Sequence, residues 1–178
     1  AAPAAAQTFG FGAHAGVSVP LGDYGDTEIG AAGFGAFGGL DLWYPLNAVP
    51  GLSWYTSVDA IAHPADNTTV GFGDDTGYLY FPLMTGVRFD IPAGPVGLFA
   101  TGQLGAVIAM PPVLAGDVSG ETTTTFGFNL GAGIQATDYI YGGVKFYPLG
   151  DVDWSWEDGS TGTTSVSFFD IYVGFGVW

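Results

Sequence analysis

The sequence predicts an all-β fold: an eight-stranded antiparallel up-and-down β-barrel of the transmembrane type, with four long loops at one end and short turns at the other. Three observations predict it. Side chains alternate with a period of two along most of the chain, the connections alternate between short and long, and the apolar face of the strands carries no charge. The strands are expected at about Gln7–Val19, Ala31–Tyr44, Leu52–His63, Gly77–Ile91, Val96–Met110, Thr122–Thr137, Tyr139–Leu149 and Thr164–Trp178. Pro45–Gly51, Pro92–Pro95 and the region of Asp138 are the short turns. Pro20–Gly30, Pro64–Thr76, Pro111–Glu121 and Gly150–Thr163 are the long loops. Strands of this length fit a tilted crossing of a bilayer core.

The first strand sets Phe9, Phe11, Ala13, Ala15, Val17 and Val19 against Thr8, Gly10, Gly12, His14, Gly16 and Ser18. The fifth puts Val96, Leu98, Ala100, Leu104, Ala106, Ile108 and Met110 on one face. Gly97, Thr101, Gln103 and Gly105 lie on the other, with Phe99 and Val107 among them. The sixth sets Phe126, Phe128, Leu130, Ala132, Ile134 and Ala136 against Thr125, Gly127, Asn129, Gly131, Gly133 and Gln135. A water-soluble barrel needs a charged exterior, and the second face of these strands is too poor in charge to serve as one. Lipid outside and a polar interior is the better physical account.

Composition agrees. The 178 residues form one domain, of which Ala1–Ala6 is expected to be a flexible lead just past a cleavage point. Hydrophobic residues make up 48% and charged ones only 11%, less than half of what soluble domains usually carry. With 17 acidic residues against two basic ones, the net charge of −15 excludes nucleic acid as a partner. The absence of cysteine removes disulfides, thiolate metal sites and cysteine nucleophiles. Ile91–Gly116 holds no charge and tests as a helical span, but Pro92, Pro95, Pro111 and Pro112 interrupt it. The acidic, lysine-poor loops suit a high-salt setting, where mutual repulsion is screened.

Glycine–aromatic strands such as Phe126–Gly133 (FGFNLGAG) and Tyr141–Tyr147 (YGGVKFY), with the C-terminal Phe168–Trp178 (FFDIYVGFGVW), give the whole chain a resemblance. It resembles the small eight-stranded outer-membrane barrels of Gram-negative bacteria, the OmpA-like and OmpX-like group. The resemblance implies an outer-membrane location and a lumen plugged by an ionic network. One feature departs from the group. The apolar set of the last strand is Val177, Phe175, Val173, Ile171 and Phe169, one residue out of phase with a terminal Trp178. Either Trp178 turns back at the membrane edge or a bulge shifts the register.

Parity sends Asp41, Asp59, Asp90 and Asp170 inward with the only two cations, Arg88 and Lys145. These six form the expected interior ionic cluster, with Gln103, Asn129, Tyr55, Tyr141 and Tyr172 as hydrogen-bonding company. Inward Phe37, Trp43, Tyr78 and Tyr80 are the side chains available to fill space left by inward glycines. A second candidate is a divalent-cation loop at Asp151, Asp153, Glu157 and Asp158, or at Asp74 and Asp75. Trp156 and Gly162 stand where an EF-hand needs Gly and Glu, so Ca²⁺ is weighed against a plain solvated acidic rim, with no cofactor otherwise expected. Trp154 and Trp156 beside these acids suit either a partner or a membrane girdle. His14 with Ser18, or His63 with Asp66, are the only combinations that suggest catalysis. Nothing places a nucleophile, base and orienting acid together, so His14 reads as an interior hydrogen-bonding residue and the chain as no enzyme.

The expected function is a non-enzymatic outer-membrane barrel with a structural or surface-contact role, presenting acidic loops outside the cell. Two alternatives stand beside it: a narrow, porin-like pore for small solutes, and a barrel subunit that self-assembles into an extracellular tube or sheet. The expected partners are the lipid bilayer and, in the last alternative, further copies of the chain.

Overall fold

The computed structural model describes residues 9–25, 32–64, 77–110, 121–155, 157, 159 and 161–177, the side chain of Asp23 excepted. Strand β1 (Gly10–Leu21) runs into a single 3-10 turn (Gly22–Gly25). It is followed by β2 (Gly35–Pro45), β3 (Leu52–Pro64), β4 (Gly77–Ala93), β5 (Val96–Met110), β6 (Thr123–Gln135), β7 (Ile140–Ser155) and β8 (Thr161–Val177). Each strand pairs antiparallel with the next, and β8 returns to β1 to close the barrel. Closure leaves no open sheet edge, so every strand has a ladder partner on both sides.

Alternation sets the two faces as the sequence predicts. Phe11, Val17, Leu40, Leu42, Val58, Leu83, Leu98, Leu104, Phe128, Leu130, Ile171 and Val173 point outward and are exposed, Val173 to 67%. Exposed aromatic rings gather near the short-turn end. Phe9 packs on Tyr44 with ring centroids 4.7 Å apart, Tyr139 stacks on Phe175 at 5.9 Å, and Trp54 stands between β2 and β4. Among the described strand residues only Asp151 and Asp153 are charged and fully outward, and both lie at the loop end of β7.

Of the predicted boundaries that shift, two bear on the long loops. The connection expected over Gly150–Thr163 is largely strand, because β7 and β8 stay paired up to Trp154↔Gly162 and Ser155↔Thr161. Val152 and Trp154 continue the alternation opposite a threonine-rich partner, and the interspersed acids hide that pattern in the sequence. Asp151 and Asp153 therefore stand on a strand rather than in a loop. The expected loop over Pro20–Gly30 also starts later, since β1 runs to Leu21.

The register irregularity lies in β7, not in the last strand. A bulge between Pro148 and Gly150 takes Leu149 out of the ladder, with Gly150 at φ +74°. Below it Tyr141, Lys145, Tyr147 and Leu149 point inward; above it Val152 and Trp154 do, and Asp151 and Asp153 are turned out. Strand β8 pairs with β1 unbroken from Phe11↔Val177 to Leu21↔Ser167, so its out-of-phase apolar set simply faces outward. Trp178 lies outside the described residues, as do Ala1–Ala6.

Candidate functional site: the lumen network

The centre of the lumen is ionic. His14 of β1, Asp41 of β2, Asp59 of β3 and Lys145 of β7 all have fully buried side chains. His14 Nδ1 lies 2.8 Å from Asp41 Oδ2, and His14 Nε2 lies 2.8 Å from Asp59 Oδ1. The Lys145 ammonium donates to Asp59 Oδ2 at 3.2 Å and stands 5.3 Å from the centre of the Tyr172 ring. Three phenols complete the set. Tyr55 donates to Asp41 Oδ1 (2.6 Å), Tyr141 to Asp41 Oδ2 (2.5 Å) and Tyr147 to Asp59 Oδ2 (2.7 Å). Buried carboxylates are tolerable only with such partners. The space comes from Gly39, where a side chain would strike the Asp59 carboxylate and come within 2.9 Å of the His14 ring.

Toward the short-turn end Arg88 forms a separate pair. Its Nε donates to Asp90 Oδ1 at 2.9 Å, and one terminal nitrogen donates to Gln135 Oε1 at 3.2 Å. The guanidinium lies 4.1 Å from the Phe99 ring centre and 5.6 Å from that of Trp43, which hold it in a cation–π sandwich. Trp43 fills the lumen at this level, and its indole occupies the place a Cβ on Gly10 would take. Asp90 is partly exposed at the rim while Arg88 is buried. On the β3–β6 side, Ser57 and Asn129 both donate to Gln103 Oε1, and Gln103 donates to the Met84 carbonyl.

Asp170 is the sixth residue of the expected cluster. It is buried opposite Ser18 on β1 and Lys145 on β7, and among the described residues no hydrogen bond of ordinary geometry reaches its carboxyl oxygens. The structure therefore separates the six into Lys145–Asp59 beside Asp41, Arg88–Asp90 near the turns, and Asp170 one ladder step from Lys145. His14 is interior and hydrogen-bonded, as its parity implies, but it stands within the ionic cluster, between Asp41 and Asp59. Tyr147 escaped the sequence reading, although it shares the inward parity of Lys145.

The loop end of the lumen is aromatic. His63 is fully buried among Tyr24, Tyr80 and Phe168, with ring centroids at 5.4, 6.1 and 5.5 Å. Its Nδ1 donates to the Gly33 carbonyl at 3.1 Å, which leaves Nε2 to accept from the Ser18 hydroxyl at 3.0 Å. Tyr24 comes from the 3-10 turn, whose carbonyl at Tyr24 accepts from Ala32 N (2.9 Å), and it caps the lumen beside Tyr78 and Tyr80. Burial holds its phenol well above the ordinary range, so the cap is neutral. Trp154, brought inward by the β7 bulge, packs on Tyr78 and Tyr80.

Ser18 thus pairs with His63 rather than with His14, and Asp66 lies outside the described residues. Among the described residues the pair is buried beneath aromatic rings, and the outer nitrogen of its imidazole meets the Gly33 carbonyl rather than a carboxylate. Of the candidate divalent-cation residues, Asp74, Asp75 and Asp158 lie outside the described residues. Asp151, Asp153 and Glu157 are exposed, and Asp153 accepts from Thr163 (2.7 Å). Glu121 nearby accepts from Ser155 (2.6 Å). Among the described residues no three acid or histidine side chains stand together as a metal-holding group.

No family model matches the sequence, and no curated protein matches it. Solved structures do. Neisserial surface protein A superposes with a TM-score of 0.60 at 16% identity, covering 95% of this chain and 96% of that one. The outer membrane protein OprG from Pseudomonas aeruginosa superposes at 0.53 with 10% identity, covering 96% of each chain. At such identities the likeness is one of fold, and it extends over nearly the whole chain: this protein has the architecture of the small eight-stranded outer-membrane β-barrels.

Proposed function

We propose that the chain is a closed outer-membrane barrel with a structural or surface-contact role, presenting its loop end to the exterior. The observation that carries this reading is the division of side chains. Large apolar residues are exposed all round the wall, while Asp41, Asp59, Arg88, Lys145 and Asp170 are buried within it. A wall of that kind needs an apolar surround, and a charged side chain on it would cost about 2–4 kcal/mol at a bilayer midplane for Arg or Lys. The similarity of fold to an outer membrane protein and to a surface protein supports the same location.

The packing of the lumen favours a plug over a pore. An eight-stranded barrel has an interior just wide enough for its side chains. Here Trp43, Arg88, Tyr55, Tyr80, Tyr147, Lys145 and Phe168 are all fully buried within it. Cell fractionation followed by heat-modifiability on a gel tests the location. Enrichment in the outer membrane, with a compact band that shifts on boiling, is expected. Release without detergent as large particles would overturn the lipid reading in favour of barrel-to-barrel assembly. In planar bilayers the wild type is expected to be silent, and steady solute-dependent conductance would favour the pore.

A further inference from the structure

We infer that Asp170 is a proton-binding site of the lumen: its carboxyl is a neutral acid in the folded barrel, and it heads a one-way hydrogen-bond chain through Ser18 and His63 to the Gly33 carbonyl. The site goes beyond the closed-barrel reading and does not depend on whether the lumen conducts.

Asp170 is fully buried, and among the described residues neither of its carboxyl oxygens receives a hydrogen bond. The donors around it are engaged elsewhere. On β1 its ladder partner is Ser18. The Gly33 carbonyl can only accept, so Nδ1 of His63 carries the ring proton and Nε2 takes the proton of Ser18. On β7 its ladder partner is Lys145. The ammonium gives one proton to Asp59 Oδ2 at 3.2 Å and one to His14 Nε2 at 3.3 Å. That nitrogen accepts because Nδ1 of His14 donates to Asp41 at 2.8 Å. A further side of the ammonium meets the Tyr172 ring, 5.3 Å from its centre. Tyr147 spends its phenolic proton on Asp59.

An ionised Asp170 would therefore be a buried charge facing the lone pairs of Ser18, which is costly. The one proton left for the contact between Asp170 and Ser18 is the carboxyl's own. As an acid Asp170 donates to Ser18, Ser18 to His63 and His63 to Gly33, all in the same direction. The other inward carboxyls at this level are built differently. Asp41 accepts from Tyr55, Tyr141 and His14, and Asp59 accepts from Tyr147 and Lys145. Charge agrees with that division. The remaining titratable groups facing Asp170 are His14 on β1, Asp59 on β3, Tyr147 on β7 and Tyr172 on β8, and none of them adds a second cation beside Lys145. A third carboxylate here would compete with Asp59 for one ammonium.

Infrared spectroscopy of the full-length protein in detergent micelles at neutral pH tests the site. The difference spectrum between wild type and Asp170→Asn is expected to contain the carbonyl stretch of one buried carboxylic acid. A difference spectrum showing only a lost carboxylate would overturn the inference. Should Asp170→Asn fail to fold, Asp170→Glu, which keeps the acid, is expected to shift the band, and an unmoved band would count equally against it.

Unfolding in urea from vesicles gives a second reading. Above the ordinary aspartate value of about 4, the folded barrel holds a proton that the unfolded chain has released, so this proton's contribution to stability falls as pH rises. The ratio of wild-type to Asp170→Asn unfolding constants is expected to climb about tenfold per pH unit between about pH 5 and neutrality. Contributions of the other groups cancel in that ratio. A ratio that stays flat over this range would mean that Asp170 is ionised in the fold, and the proton-binding site would be lost with it.

Discussion

The two halves of this lumen fill the same cylinder with opposite chemistry. Around His14 the barrel is packed with ions tied by short hydrogen bonds: Asp41 and Asp59 receive protons from three tyrosines, a lysine and the histidine. Around His63 it is packed with rings in tilted and edge-on contact, and the histidine makes two neutral hydrogen bonds. Tyr147 joins them, donating to Asp59 on one side and stacking on Phe168 at 4.9 Å on the other. The difference teaches where the interior is brittle. An ionic layer depends on each member, since any one removed strands the rest, whereas a layer of rings loses only contact area.

The sharpest way to break that comparison is to remove the central ammonium. Lys145→Met is expected to destabilise the barrel by about 3–5 kcal/mol in urea unfolding from vesicles, because Asp59 then stays buried without its permanent counter-ion. Adding Asp59→Leu should recover most of the loss; no recovery would mean that Lys145 acts through packing. Next in size is Tyr147→Phe, which keeps the stack on Phe168 and deletes only the bond to a charged acceptor. It should cost about 1.5–3 kcal/mol by the same measurement. A loss near zero would place Tyr147 wholly in the aromatic half.

Gly10 tests the ionic half from the side of shape. A methyl there enters the Trp43 indole, and Trp43 in turn flanks Arg88. Gly10→Ala should therefore cost about 1–3 kcal/mol as Trp43 shifts, read as a fall in the temperature of the gel-mobility shift. An unchanged transition would show that the indole has room to move.

Much of this was legible in the sequence, for a physical reason. A period of two fixes which face a residue joins, and that alone sends Asp41, Asp59, Asp170, Arg88 and Lys145 inward. It says nothing of which inward residues meet across the lumen, because that depends on the stagger of strands far apart in sequence. His14 is therefore legible as an interior residue but not as standing between Asp41 and Asp59, and nothing in the period pairs Ser18 with His63. The bulge at Leu149 was hidden for a related reason. One extra residue reverses the parity, so Val152 and Trp154 enter the lumen where unbroken alternation would have sent Asp151 and Asp153.

The smallest expected effect belongs to the aromatic half. Ser18→Ala removes the one hydroxyl that His63 Nε2 accepts from and leaves that nitrogen unsatisfied, while the bond from Nδ1 to the Gly33 carbonyl survives. Neutral hydrogen bonds of this kind contribute about 1 kcal/mol, so a loss of that order is expected in urea unfolding. Ser18 also faces Asp170 across the β1–β8 ladder, which gives the variant a second use. Were its hydroxyl held chiefly by that carboxyl, the loss would approach that of Tyr147→Phe, and the contrast between the halves would shrink to one layer of the barrel. A loss near 1 kcal/mol, with the His63 ring still protonated on Nδ1 alone, would keep Ser18 in the neutral half, leaving Asp170 beside it without a strong donor.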